Sequence, residues 1–112
     1  MSKFMLFVVG GYDSEANLSP DEIQQRIQKY RNWSINLSQA GKLVDANKIT
    51  DNPHVLLREN GQFRVQQPEL SNETVGGYFV IEAADYDEAV ELSKPCPIFE
   101  HGGSLEIRQV EE

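Results

Sequence analysis

The chain has only two histidines, His54 and His101, and histidine is the side chain most often used as a general base near neutral pH. His54 precedes a run of strand-forming residues, and His101 lies in the loop before the last such run. Because strand ends can open into a cleft, either imidazole could act as a catalytic base. The alternative, a solvated or hydrogen-bonded loop imidazole, is the commoner role for a histidine in such a position.

Asp45 follows the first predicted helix and could act as an acid–base group or as the partner of a histidine. A solvated loop carboxylate is the simpler interpretation. Cys96 stands between two prolines without a second cysteine in the chain or a local base, so we expect a small buried side chain rather than a nucleophile. A single cysteine also excludes an internal disulfide and fits a reducing compartment, so the sequence predicts a cytoplasmic protein.

The sequence has no pattern for holding a metal ion or a nucleotide cofactor. The two histidines are far apart, and there is no His-x-x-x-His or clustered carboxylate pattern. The glycine pairs that begin at Gly10, Gly76 and Gly102 do not open a helix in a phosphate-binding frame. We therefore expect no metal and no cofactor.

Glu106 and Arg108 alternate with Leu105 and Ile107 in the last predicted strand, so they share one face of it. Arg108 could bind the carboxylate of a small substrate through two hydrogen bonds, and Glu106 could fix the guanidinium. The favoured alternative is an ion pair across strands or across a dimer interface, which would set the register.

Three aromatic residues could line a pocket for a small substrate. Tyr30 and Trp33 lie on the first predicted helix, and Tyr78 lies in a predicted strand. The same spacing is what a helix needs to pack on a sheet, so a role in the core is the stronger prediction.

Length and charge exclude several classes of protein. The 112 residues fit a single domain, 1–112, and the hydrophobic content of 39% is typical of a globular protein. The formal net charge of −8 would repel phosphate backbones and anionic lipid, and lysine and arginine occur without a basic run. We therefore expect neither a nucleic-acid partner nor a membrane partner.

The first half of the chain predicts a strand, a helix and a hairpin. The apolar run Phe4–Val9 is too short for a membrane span and predicts the first strand, followed by a polar loop over 12–18. Ser19-Pro-Asp-Glu22 predicts a capped helix start, Gly41 predicts its end, and 42–50 predicts a short strand or an extended segment. The Asn60-Gly61 pair, between two extended runs, predicts a hairpin.

The second half repeats the strand, helix, strand order. Val75–Ala83 is rich in aromatic and β-branched residues, a capped helix begins after Asp85, and an alternating run follows Gly102. The full order predicts an α+β fold, ferredoxin-like βαββαβ with an inserted β-hairpin.

Three landmarks resemble the YCII-related family, including its branch often called DGPF proteins. They are the opening strand that ends near Gly-Gly, the Gly76-Gly-Tyr78 strand followed by Asp-x-Asp-Glu-Ala, and Cys96-Pro97 leading to Gly-Gly-Ser-x-Glu-x-Arg at 102–108. Where the DGPF branch carries Asp-Gly-Pro-Phe, this chain has Val65-Gln-Gln-Pro-Glu-Leu70, so that motif is absent.

The resemblance implies a dimeric α/β barrel, in which two ferredoxin-like sheets pack face to face and small-molecule pockets lie between sheet and helices. Some relatives are thought to eliminate a leaving group from small ring compounds through a histidine on the first helix and a nearby aspartate. The first predicted helix here has no histidine, and Tyr30 stands close to the corresponding place. Tyrosine, with a pKa of about 10, is a poor base at neutral pH.

Two functional hypotheses follow. The first, which we favour, is a homodimeric small-molecule-binding or accessory module without turnover. The second is an acid–base lyase or isomerase acting on a small cyclic or carboxylate compound in a cleft of the dimer. In that enzyme His54 or His101 would be the base, Asp45 the orienting acid and Arg108 the group that binds an anionic substrate.

Overall fold

The computed structural model describes residues 1–11 and 18–112, so most of the polar loop predicted over 12–18 lies outside the described residues. The described part folds into six strands, two α-helices and one 3-10 segment. In chain order these elements are β1 (Ser2–Val9), α1 (Pro20–Gln39), β2 (Leu43–Lys48), β3 (Val55–Glu59), β4 (Gln62–Gln66), β5 (Val75–Ala83), α2 (Tyr86–Ser93), the 3-10 segment (Pro97–His101) and β6 (Ser104–Gln109).

Four strands form the main sheet in the order β2-β5-β1-β6, and every neighbouring pair is antiparallel. The central strands β1 and β5 therefore come from different halves of the chain, and β2 and β6 form the edges. The architecture is α+β, and this strand order is compatible with a ferredoxin-like fold. β3 and β4 pair only with each other, in a separate two-stranded sheet.

The helices begin where the sequence predicts. The Ser19 hydroxyl accepts a hydrogen bond from the Glu22 backbone N–H at 3.2 Å, and the Glu22 carboxylate accepts one from the Ser19 N–H at 3.4 Å. The Asp85 carboxylate accepts from the Glu88 N–H in the same way, at 2.9 Å. These bonds satisfy N–H groups that a helix leaves unpaired in its first turn.

The core lies between one face of the main sheet and the two helices. β1 and β5 alternate, so that Phe4, Leu6 and Ile81 point into this core and are completely buried. Trp33 and Leu37 are the buried residues of α1, and the Trp33 ring packs on Phe79 with 4.6 Å between ring centroids. Both helices and the 3-10 segment, through Ile98, pack on this face of the sheet.

A bulge in β2 changes which side chains face the core. The register between β2 and β5 shifts between Leu43 and Asp45, and Leu43 and Ala46 both pack against the core although they are three residues apart. Asp45 and Asn47 consequently point to the face opposite the helices, because both contact Tyr78 there.

The hairpin of β3 and β4 turns at Asn60 and Gly61, whose φ angles are +50° and +78°. Both residues therefore take the left-handed conformation that a two-residue turn of this type requires. Among the described residues, no helix is long and apolar enough to cross a membrane.

Candidate functional site

In the part of the chain that the structure describes, no helix lies on one face of the main sheet, and we call it the open face. Its side chains alternate with the buried ones, and Lys3 of β1, opposite Glu82, and Ser104 of β6, opposite Val9, are exposed members of it. The others are Met5, Phe7 and Val9 of β1, Asp45 and Asn47 of β2, Tyr78, Val80 and Glu82 of β5, and Glu106 and Arg108 of β6. The β1 and β5 side chains in this set are half-buried by their neighbours in the sheet, whereas those of β2 and β6 are exposed. The open face joins four of the residues that the sequence singled out.

The strand register arranges these side chains in two rows across the sheet. The first row runs Asp45, Val80, Met5, Arg108, and the second runs Asn47, Tyr78, Phe7, Glu106. Each row has a polar group on β2, a largely apolar middle on β5 and β1, and a charged group on β6. Adjacent strands are about 4.8 Å apart, so the ends of a row are separated by about 14 Å.

The most organised part of the open face is a hydrogen-bonded group at its β2 edge. The Tyr78 hydroxyl donates to Oδ2 of Asp45 at 3.3 Å and accepts from Nδ2 of Asn47 at 2.9 Å. The other carboxylate oxygen of Asp45 accepts from the Ala46 backbone N–H at 2.9 Å. We call Asp45, Asn47 and Tyr78 the polar cluster, and its members fix one another while staying open to solvent.

Glu106 and Arg108 lie at the far end of the two rows, on the β6 edge. Glu106 is opposite Phe7, and Arg108 is opposite Met5, so neither lies beside the polar cluster. Both side chains are exposed. Within one copy these two charges cannot share a small ligand with Asp45 unless that ligand spans most of the sheet.

The three aromatic residues do not line one pocket. Trp33 is 5% exposed in the core, and its indole N–H donates to the Leu92 carbonyl oxygen at 3.1 Å. Tyr30 is half-buried and packs against the same core. Tyr78 points to the open face, since its neighbour Phe79 is the residue that meets Trp33. The sheet therefore separates Tyr78 from the other two.

His54 lies at the base of the hairpin, exposed to solvent. Its Nδ1 donates to the Asn52 carbonyl oxygen at 2.8 Å, and its Nε2 is 2.9 Å from the side-chain nitrogen of Gln67. With Nδ1 carrying the proton, Nε2 accepts from the Gln67 amide. Nδ1 is thus hydrogen-bonded to the chain segment that leads into the hairpin, and Nε2 to the segment that leads out of it.

His101 ends the 3-10 segment and is half-buried on the helix face of the sheet. The Arg26 guanidinium lies 2.9 Å from its Nδ1, and because a guanidinium only donates, Nδ1 accepts. Arg26 belongs to α1, so this contact ties the 3-10 segment to the first helix. Asp45 points to the opposite face, and the structure therefore keeps His101 and Asp45 apart.

Cys96 is 2% exposed, at the start of the 3-10 segment. Burial raises the pKa of its thiol from 9.0 to about 11, against smaller opposing effects of a backbone hydrogen bond at Ile98 and a side-chain hydrogen bond from Tyr30. A thiol with this pKa is almost entirely protonated at neutral pH, so it is a poor nucleophile.

A shallow groove of about 440 Å³ lies on the helix side, between α1 and the 3-10 segment. Its lining includes Trp33, Cys96, Phe99 and an exposed ion pair of Lys29 with Glu100 at 3.2 Å. None of His54, His101 and Asp45 lines the groove. In residues 1–11 and 18–112, no three His, Cys, Asp or Glu side chains are grouped as metal ligands.

Sequence reasoning missed Asn47, and it missed Met5, Phe7 and Val80 as members of the open face. A signal for the apolar members exists in β1, whose run Phe4–Val9 is apolar at every position. A strand with one solvated face alternates between apolar and polar residues, whereas a strand covered on both faces is apolar throughout. The composition of β1 is therefore typical of a strand that is covered on both faces.

Comparison with known proteins bears on the family rather than on the chemistry. The search of curated proteins gave no match. The sequence model of the YCII-related domain matches residues 5–112, which is nearly the whole chain. It begins within β1 and covers every later element, so it includes both edges of the open face. The chain therefore belongs to the YCII-related family.

Proposed function

We propose that this protein is a homodimeric binding module, in which two open faces pack together and a small molecule binds at the polar cluster. The observation that carries the proposal is the pattern of the two rows, with an apolar middle bounded by polar groups on both edges. Protein interfaces have the same anatomy, an apolar centre with a polar rim.

The order of groups along the rows supports a twofold dimer. A twofold axis parallel to the strands brings the β2 edge of one copy over the β6 edge of the other. Asp45 of one copy then approaches the partner's Arg108, and Asn47 approaches the partner's Glu106. An ion pair of this kind favours one register over others, because a slip of the sheets separates the opposite charges.

The polar cluster suits a small ligand that carries hydrogen-bond donors. Asp45 offers a carboxylate that Tyr78 and the Ala46 N–H hold in place, and Phe7 is the cross-strand neighbour of Tyr78. A hydroxyl or amino group on a small ring could bind Asp45 while the ring packs on the apolar middle of the face. Small-molecule sites commonly combine an apolar wall with a few convergent polar groups.

The lyase or isomerase hypothesis has less support. His54 uses both ring nitrogens at the base of the hairpin, and His101 accepts from Arg26 on the helix face. His101 is on the helix face of the sheet, opposite Asp45, and His54 bonds to residues that flank the hairpin rather than to the polar cluster. An acid–base reaction at this site would have to use Asp45 and Tyr78 without a histidine, and binding without turnover requires no such group.

A thermal-shift screen tests the proposal, with phenols and anilines as probes. A probe that binds raises the unfolding midpoint of the wild type by mass action. Asp45→Asn should abolish that shift, and Asp51→Asn, in the exposed loop after β2, should keep it. A shift of equal size in Asp45→Asn, or no shift with any probe, would contradict binding at the polar cluster.

A further inference from the structure

The β3–β4 hairpin has little support from the rest of the described chain. It is a two-stranded sheet whose strands pair only with each other. The Arg64–Glu59 ion pair at 2.7 Å and the Arg58 guanidinium 5.6 Å from the centre of the Phe63 ring stabilise it. Exposed contacts of these kinds contribute up to about 1 kcal/mol each, and an isolated hairpin is marginal in water.

One face of this hairpin is apolar and exposed. The pairs Leu56–Val65 and Arg58–Phe63 share that face, because directly opposed residues in a sheet point the same way. Phe63 is 70% exposed, Leu56 is 64% exposed and Val65 is 57% exposed. Together they present roughly 300 Å² of apolar surface, which is within the size range of the largest patch on a typical protein, and such a patch is often functional.

The hairpin stands apart from the other described elements, because its two strands make no substantial contact with any other helix or strand. The radius of gyration is 15.9 Å, whereas a compact chain of this length has a radius of about 13 Å. Each hairpin strand has five residues and is about 17 Å long, which matches the width of about 14 Å across the four strands of the main sheet. The hairpin therefore has the length of an arm that can reach across a sheet.

Charge indicates what the arm contacts. The hairpin contains Arg58, Arg64 and Glu59, for a net charge of one positive, in a chain whose net charge is −8. A second copy of this chain therefore attracts the arm. Arg58 lies on the apolar face beside Phe63, and the open face carries three acidic side chains, Asp45, Glu82 and Glu106, against two basic ones, Lys3 and Arg108.

We propose that the hairpin of each copy is an arm that docks on a second copy of this chain. The Leu56–Phe63–Val65 face packs on the partner beside the sheet-to-sheet contact, and Arg58 approaches the partner's acidic groups. This inference rests on the proposed homodimer, and it adds a second contact region to the packing of the two open faces.

The small area of the arm makes it a secondary contact region of the dimer rather than the main one. A stable interface buries about 800 Å² on each partner, so the roughly 300 Å² of the arm is too small to hold a dimer alone. The arm therefore strengthens a dimer whose main contact is the sheet.

Two adjacent residues of β4 provide a matched test. Phe63→Asp adds one negative charge on the docking face, and Gln62→Asp adds the same charge on the opposite face of the hairpin, where the side chain is also exposed. Sedimentation velocity over a dilution series gives the dimer dissociation constant of each variant. Phe63→Asp should raise it at least about tenfold, because it removes the largest apolar group of the arm, and Gln62→Asp should leave it near the wild-type value.

Phe63→Asp could raise the dissociation constant simply by unfolding the hairpin, so hydrogen exchange of the wild type provides a test without a substitution. The β3 and β4 amides should exchange more slowly at concentrations where the dimer is populated than in dilute monomer. Exchange that is equally slow in both states would mean that the arm docks on its own chain, and equally fast exchange would mean that it stays in solvent. Either result overturns the inference.

The outcomes also separate this inference from the proposed function. A wild type that is dimeric, with equal dissociation constants for Phe63→Asp and Gln62→Asp, overturns the arm and leaves the sheet-packed dimer standing. A wild type that is monomeric at every concentration overturns both.

Discussion

The Tyr78 hydroxyl donates to Oδ2 of Asp45 at 3.3 Å, across the pair of strands β2 and β5. A bulge at the start of β2 makes this contact possible, because it shifts Asp45 to the face that Tyr78 occupies. The site and the fold are thus linked through one local irregularity.

Tyr78→Phe should reduce ligand binding without a large loss of stability. The hydroxyl makes two hydrogen bonds in an exposed position, so its removal should lower the free energy of unfolding by no more than about 1 kcal/mol. The probe that shifts the wild type should bind at least about tenfold more weakly, because Asp45 loses the group that orients it. Titration calorimetry and urea unfolding measure the two effects. Unchanged affinity would show that the ligand does not use the cluster.

Trp33→Ala should lower the free energy of unfolding by about 3–5 kcal/mol, since it empties a buried position and leaves the Leu92 carbonyl without its donor. Phe99→Ala is the control, because Phe99 is also aromatic but is 50% exposed. Urea unfolding should show a much smaller loss for Phe99→Ala. Similar losses in both variants would contradict the assignment of Trp33 to the core.

Cys96 should react slowly with a thiol reagent in the native protein. Burial raises the pKa of its thiol from 9.0 to about 11, so little thiolate is present at about pH 8, and the sulfur is also shielded. In denaturant, Ellman's reagent should label Cys96 rapidly. Native labelling as fast as that of the denatured chain would contradict a buried thiol.

The same shift makes stability depend on alkaline pH. The folded chain holds the Cys96 proton more tightly than the unfolded chain does. The contribution of this proton to the free energy of unfolding is therefore complete below pH 9.0 and is lost as the pH rises towards about 11. Urea unfolding at a series of pH values should show a decline in that window that is weaker in Cys96→Ala. An equal decline in both proteins would assign it to other groups.

Gly103→Ala should destabilise the end of the sheet. A Cβ at this position would meet the Ile98 side chain and lie 2.7 Å from the Val9 carbonyl oxygen. Because the Val9 oxygen belongs to the backbone of a central strand, the clash should cost about 1–3 kcal/mol of unfolding free energy. Ser104→Ala, at the exposed neighbouring position, should change it by less than about 0.5 kcal/mol in the same urea titration. Equal values for the two variants would exclude the close contact.

Local sequence signals were sufficient for much of the fold. The capping residues Ser19 and Asp85 begin the two helices, and alternation in β6 correctly separates Leu105 and Ile107 from Glu106 and Arg108. Each of these features depends on a few neighbouring residues, so a single sequence contains the information.

The site was harder to predict because it depends on how distant elements meet. Simple alternation from the core-facing Leu43 would put Asp45 on the core side, and only the bulge reverses this. Tyr78 was grouped with Trp33, yet the two lie on opposite faces because Phe79 is the residue that packs on the helix. Neither fact follows from the residue types alone.

The most direct test of the sheet-packed dimer is light scattering of the wild type beside two lysine variants. Phe7→Lys puts a charge in the middle of the open face, and Ile35→Lys puts the same charge at an exposed position on α1, on the other side of the protein. At micromolar concentration the wild type and Ile35→Lys should have about twice the chain mass of 12.7 kDa, and Phe7→Lys should have the mass of one chain. A folded Phe7→Lys that remains dimeric would contradict packing through the open face.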